Sequence, residues 1–237
     1  MTAYRGPRKL RALGPDIWVV DQAQRYFGLE VGCRMTVVRL ADGALWVHSA
    51  ITLDDELRSQ LDALGPVRYV VAPNRVHYLR AGDTVKAYPG SRLWIAPGVE
   101  KKRPELAFGT FLTDDAPPEW SASLAQAHFR GRPFENEFVF CHGASRTLIM
   151  CDLAFNFSAR FPLATRMFTW VIGGYGEFRP SRLDPLLIRD RRASRESLEK
   201  ILSWDFDTVV VAHGEVLEHD GREALRRGYR WLLEGPV

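Results

Sequence analysis

Short apolar runs with the length of buried β-strands recur along this chain, and three of them lead into an isolated histidine or aspartate. His77 follows the run at residues 68–72, Asp152 ends the run at 147–152, and His213 follows the run at 208–212. Ligand-binding groups in α/β sheets collect where strands end at their carboxyl edge. Two imidazoles and a carboxylate that meet at such an edge could hold one metal ion, so these three residues are candidate ligands.

The order of the predicted elements favours two sheets rather than one. Asp42 and Gly43 lie between two apolar runs and predict a β-hairpin, and residues 142–145 connect a second one. Each hairpin leads into a strand–helix–strand order, with Thr52 and Ser194 as candidate helix N-caps. A doubly wound sheet would leave the hairpins unexplained. We therefore predict an α/β fold in which two mixed sheets pack together between outer helices.

Length and composition are those of an ordinary globular protein. The chain has 237 residues, 46% of them hydrophobic, which is enough for a full core, and we treat residues 1–237 as a single domain. A net charge of +3, from 32 basic and 29 acidic residues, gives no reason to expect a nucleic-acid partner. Cys33, Cys141 and Cys151 show no CxxC spacing and are interpreted as free thiols in a reducing compartment.

Two absences in the sequence bear on the location of the protein. Residues 1–6 contain no apolar signal core. The chain also has no run of about 18 uncharged apolar residues, the length that a membrane helix needs. We therefore expect a cytoplasmic protein without a membrane span.

Four segments together carry a resemblance to a known family. They are residues 45–49 (Leu-Trp-Val-His-Ser), 71–77 (Val-Ala-Pro-Asn-Arg-Val-His), 145–156 (from Ser145 to Asn156) and 211–214 (Val-Ala-His-Gly). In their order and spacing, the chain resembles the metallo-β-lactamase superfamily and, within it, the DUF4336 family. The resemblance implies an αββα sandwich with a metal cleft at one edge of the two sheets.

The metal-binding motif of that superfamily survives here only in part. A His-x-His-x-Asp-His run normally supplies ligands for two metals, and the stretch that resembles it, residues 72–77, retains only the last histidine, His77. Ala72, Asn74 and Val76 stand in place of the other ligands. A dinuclear hydrolase of the usual kind is therefore not expected.

The remaining ligand positions fall in the second half of the chain. Arg132 stands where the superfamily has the histidine of a Gly-His loop, whereas Asp152 matches the bridging aspartate and His213 the last histidine. The resemblance thus implies that the first metal site is lost and that most of the second survives. Two histidines and one carboxylate would leave open positions for water or substrate.

His48 is a further candidate, because it ends a strand that typically leads into Asp-Thr-Gly near the cleft in members of the superfamily. One interpretation is a fourth metal ligand, which would close the metal site. The other is a group that supports the ligands or moves protons.

Three functions fit this candidate site. The first is a mononuclear hydrolase, in which one zinc or iron ion on His77, Asp152 and His213 would lower the pKa of a bound water to about 7. The substrate would be a small-molecule ester, lactone, thioester or phosphoester, with Asn74 or Arg132 stabilising the oxyanion. The second is a metal-free descendant that binds a small molecule or a partner in the old cleft. The third is a mononuclear iron redox protein.

Residues 155–190 are expected to form a hydrophobic helical insertion. The part at 155–172 is rich in Phe, Met and Trp, which predicts a core helix pair, a lid over the cleft or a homodimer surface. Six arginines between Arg179 and Arg195 are interpreted as a solvated face.

Overall fold

The computed structural model describes residues 9–236, which form two large β-sheets and a two-stranded ribbon. The strands are β1 (Arg11–Gly14), β2 (Ile17–Gln22), β3 (Arg25–Tyr26), β4 (Leu29–Glu30), β5 (Cys33–Arg39), β6 (Leu45–His48), β7 (Val67–Ala72), β8 (Arg92–Ile95), β9 (Thr110–Phe111), β10 (Leu124–His128), β11 (Phe138–His142), β12 (Thr147–Ile149) and β13 (Thr208–Val210). The first sheet has the order β1-β2-β5-β6-β7-β8-β9, the second β10-β11-β12-β13, and β3 pairs with β4.

Helices connect and cover these sheets. They are α1 (Asp55–Leu64), α2 (Ala81–Ala87), α3 (Val99–Lys102), α4 (Leu163–Ile172), α5 (Asp184–Leu187), α6 (Arg191–Leu202), α7 (Gly221–Gly228) and α8 (Arg230–Glu234), with a 3-10 helix at Pro104–Leu106.

Both predicted hairpins are present. Leu45 of β6 pairs with Arg39 of β5, and the turn between them holds Gly43 at a φ of 83°, a left-handed conformation that glycine adopts without steric cost. In the second sheet, His142 of β11 lies opposite Thr147 of β12 in an antiparallel pair. Beyond each hairpin the next pair is parallel, β6 with β7 and β12 with β13, so both sheets are mixed as predicted.

The two sheets pack face to face through buried aromatic side chains. The ring of Trp46 in β6 lies 4.8 Å from that of Phe140 in β11, measured between centroids. The neighbouring Val139 points the other way and packs with Leu198 of α6 in a second core. Because side chains alternate between the faces of a strand, β11 contributes to both cores. Burial of each such large apolar side chain stabilises the fold by about 1.5–3 kcal/mol.

Helices lie on the outer faces, so the predicted αββα sandwich is confirmed. Leu57 and Leu61 lie four residues apart on α1 and are buried in the core of the first sheet. Leu198 on α6 and Leu225 on α7 cover the second sheet. The helices thus bury the outer faces and leave the strand ends at the sheet edges for other contacts.

Two predicted helix caps are wrong by a few residues. The cap of α1 is Asp54, whose carboxylate accepts a hydrogen bond from the amide of Leu57 at 2.9 Å, and not Thr52. The cap of α6 is Asp190, whereas Ser194 lies inside the helix and donates to the carbonyl of Arg130 at 2.7 Å. Asp and Ser are both good caps, and only the backbone path decides which one is used.

The region predicted as a hydrophobic insertion contains α4 and α5. Thr165 of α4 is buried and donates a hydrogen bond to the carbonyl of Glu30 in β4, at 2.9 Å. The opposite side of α4 is apolar but exposed, with Trp170 at 64% and Met167 at 62%. A homodimer through residues 155–172 stays a prediction, as does the single-domain assignment.

The longest helix in the described part of the chain, α6, has 12 residues, and no helix there has the length and apolar character needed to cross a membrane. Residues 1–6, on which the expected cytoplasmic location depends, lie outside the described residues.

Candidate metal centre

His77, Asp152 and His213 come together at the carboxyl ends of three strands. His77 lies in the loop after β7, Asp152 follows β12 and His213 follows β13. The distance from Nε2 of His77 to Oδ2 of Asp152 is 3.4 Å, and that from Nε2 of His213 to Oδ1 of Asp152 is 3.7 Å. One ligand atom from each residue lies within 4.8 Å of the others, which makes the three a possible metal-binding group.

The outer nitrogens of both imidazoles are held by protein groups. Nδ1 of His213 lies 2.7 Å from the carbonyl oxygen of Gly32. Because a carbonyl only accepts, Nδ1 carries the proton and Nε2 presents its lone pair to the site. Nδ1 of His77 lies 2.8 Å from Oγ of Ser49, while its Nε2 is buried without a hydrogen bond. Metal-binding histidines are typically oriented by such contacts at the far nitrogen.

A network of buried polar groups fixes the position of Asp152. Asn74 donates from Nδ2 to Oδ2 of Asp152 at 2.8 Å and to Oε2 of Glu137 at 3.1 Å. Glu137 accepts the backbone amides of Cys151 at 2.6 Å and Asp152 at 2.8 Å. The position of the carboxylate of Asp152 is therefore set by its backbone as well as its side chain.

Asn74 also shapes the loop that carries His77. Its Oδ1 accepts the backbone amides of Val76 at 2.9 Å and His77 at 2.7 Å. The side-chain Nδ2 of Asn74 already donates to two carboxylates, and Asn74 is 0% exposed. Asn74 was predicted to stabilise a substrate oxyanion, but in this structure no donor of its side chain is left for that role.

Arg132, the second predicted oxyanion group, is also buried and engaged. Its guanidinium donates to the backbone carbonyl of Asp152 at 3.0 Å and pairs with Glu135 at 3.0 Å and Asp184 at 3.3 Å. Although burial opposes its charge, Asp184, Tyr229 and Glu135 raise the pKa of Arg132 above its usual value. Arg132 supports the backbone of Asp152, a candidate ligand, and does not line the cleft formed by the described residues.

His48 lies in the core between the sheets and is not brought into the ligand group. Its ring stacks on Trp46 at 5.4 Å and meets Phe140 edge-on at 5.6 Å. Burial, followed by the charge of His77, lowers the pKa of His48 to about 3. The structure thus places a neutral imidazole there, outside the group of three candidate ligands.

The three grouped residues shift one another's pKa values. Burial alone would raise the pKa of Asp152, but His77, His213 and Arg132 outweigh it and hold that pKa well below its usual range. Burial would lower the pKa of His77, but Cys151 and Asp152 outweigh it and raise that pKa. Burial and the charge of His77 lower the pKa of His213 to about 4. Asp152 is therefore ionised and His213 is neutral near pH 7, the forms that bind metals, whereas the raised pKa of His77 favours its protonated form, which must lose that proton before it can bind a metal.

Several groups at this site were not singled out from the sequence. Glu137 was not among the predicted site residues, yet it is buried, and burial and the charge of Asp152 raise its pKa to about 7. Cys33 lies with its Sγ 3.9 Å from Nδ1 of His77. Ser49 adopts a φ of 53°, which is uncommon for a non-glycine residue and often marks a functional position. A buried acid and a strained serine are visible only once the chain is folded.

The loop after His213 passes very close to another part of the chain. Gly214 has a φ of 96°, and a Cβ there would lie 2.3 Å from the carbonyl oxygen of Asn156. Only glycine allows this approach, which ties the His213 loop to the segment that follows Asp152.

His77 and His213 open onto a cleft of about 590 Å³, whose wall also includes Cys33 and Ser49. This volume is within the range of small-molecule sites, about 300–1,000 Å³.

Comparisons with solved structures agree on the fold. A metallo-β-lactamase from Pontibacter korlensis matches with a TM-score of 0.64 and 14% identity, over 96% of this chain and 99% of that one. One from Erythrobacter litoralis matches with a TM-score of 0.63 and 12% identity, over 98% of each chain. The metallo-β-lactamase FIM-1 from Pseudomonas aeruginosa, solved in its mono-zinc form, matches with a TM-score of 0.60 and 10% identity, over 95% of this chain and 93% of that one.

Comparisons of the sequence give a family. The profile of the family described as Domain of unknown function (DUF4336) matches residues 15–169. No curated protein matches the chain significantly.

Proposed function

We propose that this chain, which belongs to the DUF4336 family and has the metallo-β-lactamase fold, is a mononuclear metal-dependent hydrolase. One zinc or iron ion would be held by His77, Asp152 and His213. The observation that carries the proposal is the grouping of their ligand atoms within 4.8 Å, with the far nitrogen of each imidazole held by the protein.

The distances fit a small metal ion. Ligands about 2.0–2.1 Å from a tetrahedral zinc ion lie about 3.3 Å from one another. The two histidine–carboxylate distances, 3.4 Å to Oδ2 and 3.7 Å to Oδ1 of Asp152, are close to that value, and the whole group, which spans up to 4.8 Å, would contract around an ion. The buried Nε2 of His77, which makes no hydrogen bond, would gain a partner. Three protein ligands leave a coordination position open, as in catalytic zinc sites.

When bound, such an ion supplies a Lewis acid that activates water and polarises the bond to be cleaved. The residues of the chain orient the ligands for it. Ser49 and the carbonyl of Gly32 fix the two imidazole rings, and Asn74 and Glu137 fix Asp152. The cleft beside the ligands would take a small-molecule ester, lactone, thioester or phosphoester.

The proposal changes the roles of three residues. We assign Asn74 and Arg132 to positioning Asp152, because both contact it, the Asn74 amide has no hydrogen free for a substrate, and Arg132 does not line the described cleft. We assign His48 to the core between the sheets, as a neutral side chain that packs on Trp46.

A structural relative supports a single ion. The FIM-1 enzyme has this fold and was solved in a mono-zinc form, so the fold accommodates one zinc ion. The identity of 10% limits this comparison to the fold, and the chemistry depends on the residues of this chain.

The direct test is the metal content of the full chain purified without chelators. We expect about one equivalent of zinc or iron, lost on His77→Ala or Asp152→Ala and retained in His219→Ala, whose histidine is exposed and outside the group. Less than about a tenth of an equivalent of any transition metal, with no rebinding, would contradict the proposal. The loaded protein is then assayed with chromogenic esters, lactones, thioesters and phosphoesters.

A metal-free binding protein is the second candidate, and one observation favours it. The raised pKa of His77 and the lowered pKa of Asp152 describe an ion pair, with Nε2 and Oδ2 3.4 Å apart, whose charges balance without a metal. Under this alternative, His77→Ala and His213→Ala would leave ligand binding intact. An iron redox role would instead show as an optical or paramagnetic signal from stoichiometric iron.

A further inference from the structure

The cleft beside His77 and His213 has a strongly cationic wall. Four basic residues line it, namely Arg75, Arg80, Lys102 and Arg103. Among the described residues that line the cleft, Asp83 is the one acidic side chain, and it already pairs with Arg80 at 3.1 Å. These cations are not the arginines between Arg179 and Arg195 that stood out in the sequence, none of which lines the described cleft.

The cations reach the cleft from two neighbouring segments. Arg75 precedes His77 by two residues in the loop after β7, and Lys102 ends α3. Nζ of Lys102 donates to the backbone carbonyl of Arg75 at 2.8 Å, and it lies 5.6 Å from the ring centroid of Phe134. These contacts fix the ammonium group beside the loop that carries a candidate metal ligand.

Two of the four positive charges have no acidic partner. Arg103 bonds to Glu105 and Arg80 to Asp83. Within residues 9–236, however, no carboxylate pairs with Arg75 or Lys102, which contact only backbone carbonyls and an aromatic ring. Nε of Arg75 is buried without any hydrogen bond. Unpaired positive charges on the wall of a cleft attract anions and strengthen their binding.

The rest of the wall is largely uncharged and partly apolar, with Val31, Ile51, Tyr78 and Leu79 among its residues. A ligand that suits it has an apolar body and one anionic group. We infer that the cleft binds a carboxylate or phosphate group of its ligand through Arg75 and Lys102. The inference rests on the proposed function in one respect, namely that this ligand is the substrate. Its anionic group would then be separate from the bond that is cleaved.

The test compares probes of one shape and different charge. Three probes are used: the carboxylate 1-naphthaleneacetate, the phosphate 1-naphthyl phosphate and the neutral 1-naphthaleneacetamide. Their binding to the full chain, freed of metal by chelation, is measured by calorimetry. We expect at least one anionic probe to bind about tenfold or more tightly than the amide, because charged hydrogen bonds are worth about that factor. The better anion identifies the group as carboxylate or phosphate.

Three variants localise the effect. Lys102→Gln keeps a donor for the carbonyl of Arg75 but removes the charge, and Arg75→Gln removes the other unpaired charge. Each is expected to remove most of the preference for the anion. Lys101→Gln is the matched control, since Lys101 is the exposed neighbour on α3 and does not line the cleft. Thermal unfolding confirms that each variant is folded.

Equal binding of anionic and neutral probes would overturn the inference, as would equal losses in Lys101→Gln and Lys102→Gln. Because the probes are tested without metal or turnover, a failure of the hydrolase proposal leaves this result unchanged. In the same way, a cleft with no preference for anions would leave the metal content of the protein unaffected.

Discussion

His213 donates a hydrogen bond from Nδ1 to the backbone carbonyl of Gly32, 181 residues earlier in the chain, at 2.7 Å. Gly32 lies just before β5 of the first sheet, and His213 lies just after β13 of the second. The contact therefore joins the two halves of the sandwich at the edge where the candidate ligands meet. It also fixes the imidazole tautomer, so that Nε2 faces Asp152.

Zinc should stabilise the folded chain. At a zinc concentration about 100 times the Kd, binding to the folded state alone contributes about 2.7 kcal/mol, which raises Tm by about 5–10 °C for a chain of this length. Differential scanning fluorimetry of the chelator-treated protein, with and without zinc, measures the shift. His213→Ala should abolish it and His219→Ala should not. A shift that is the same in both variants would mean that zinc binds elsewhere.

Ser49→Ala should weaken metal binding without unfolding the protein. It removes the hydroxyl 2.8 Å from Nδ1 of His77, and loss of such a contact typically lowers metal affinity about 10- to 100-fold. Ser145→Ala is the matched control, because its hydroxyl bonds Nδ1 of His142, also at 2.8 Å, outside the ligand group. Competition with a metal indicator gives both affinities. Equal effects of the two substitutions would argue against a positioning role for Ser49.

Asn74→Ala should destabilise the fold by about 2–4 kcal/mol, because it removes one hydrogen-bond partner from each of two buried carboxylates and from two backbone amides. Urea unfolding of the metal-free chain measures this loss. Asn156→Ala, which removes one contact to the carbonyl of Glu215, should cost less than about 1.5 kcal/mol. If Asn74→Ala left the free energy of unfolding unchanged, the hydrogen bonds of Asn74 would not contribute to stability as proposed.

His48 should make the fold sensitive to acid. Burial and His77 lower its pKa from 6.5 to about 3 in the folded chain. Below pH 6.5 the unfolded chain therefore binds a proton that the folded chain does not, and stability falls as the pH drops from about 6.5 toward 3, by up to about 1.4 kcal/mol per pH unit. Urea unfolding of the metal-free chain between pH 4 and 7 should show a shallower fall for His48→Leu than for the wild type. Parallel curves would contradict the buried, neutral state of His48.

Local sequence patterns were enough to predict most of the architecture. The Asp42-Gly43 turn and the strand-length apolar runs depend on neighbours within a few residues, and the hairpin and the strands are present, although β12 and β13 end at Ile149 and Val210, before their apolar runs end. The strand pattern also places His48 on the same face of β6 as Trp46, although it does not say whether that face is buried. Since side chains two apart on a strand share a face, His48 points the same way as Trp46, into the core.

The partners of the site residues could not be read in this way. Asn74 was predicted to face a substrate, but it meets Glu137, 63 residues away. Nothing near Asn74 in the sequence indicates that its amide hydrogens are already used. The cationic wall arises likewise from the close approach of α3 to the loop at Arg75, which the spacing of the two segments does not indicate.

The sequence by itself therefore favoured two mixed sheets and placed His77, Asp152 and His213 near strand ends, whereas the resemblance to a known superfamily implied that the three share one site. Short-range patterns of apolar residues and turns are sufficient for the strands, because they decide which segments become strands and roughly where each strand ends. Only the tertiary structure decided that Asn74 and Arg132 support Asp152, that His48 is buried, and that Arg75 and Lys102 face the cleft unpaired. Those roles depend on contacts between residues distant in sequence, and a hydrogen bond or a charge has its effect only through the partner that folding brings within reach.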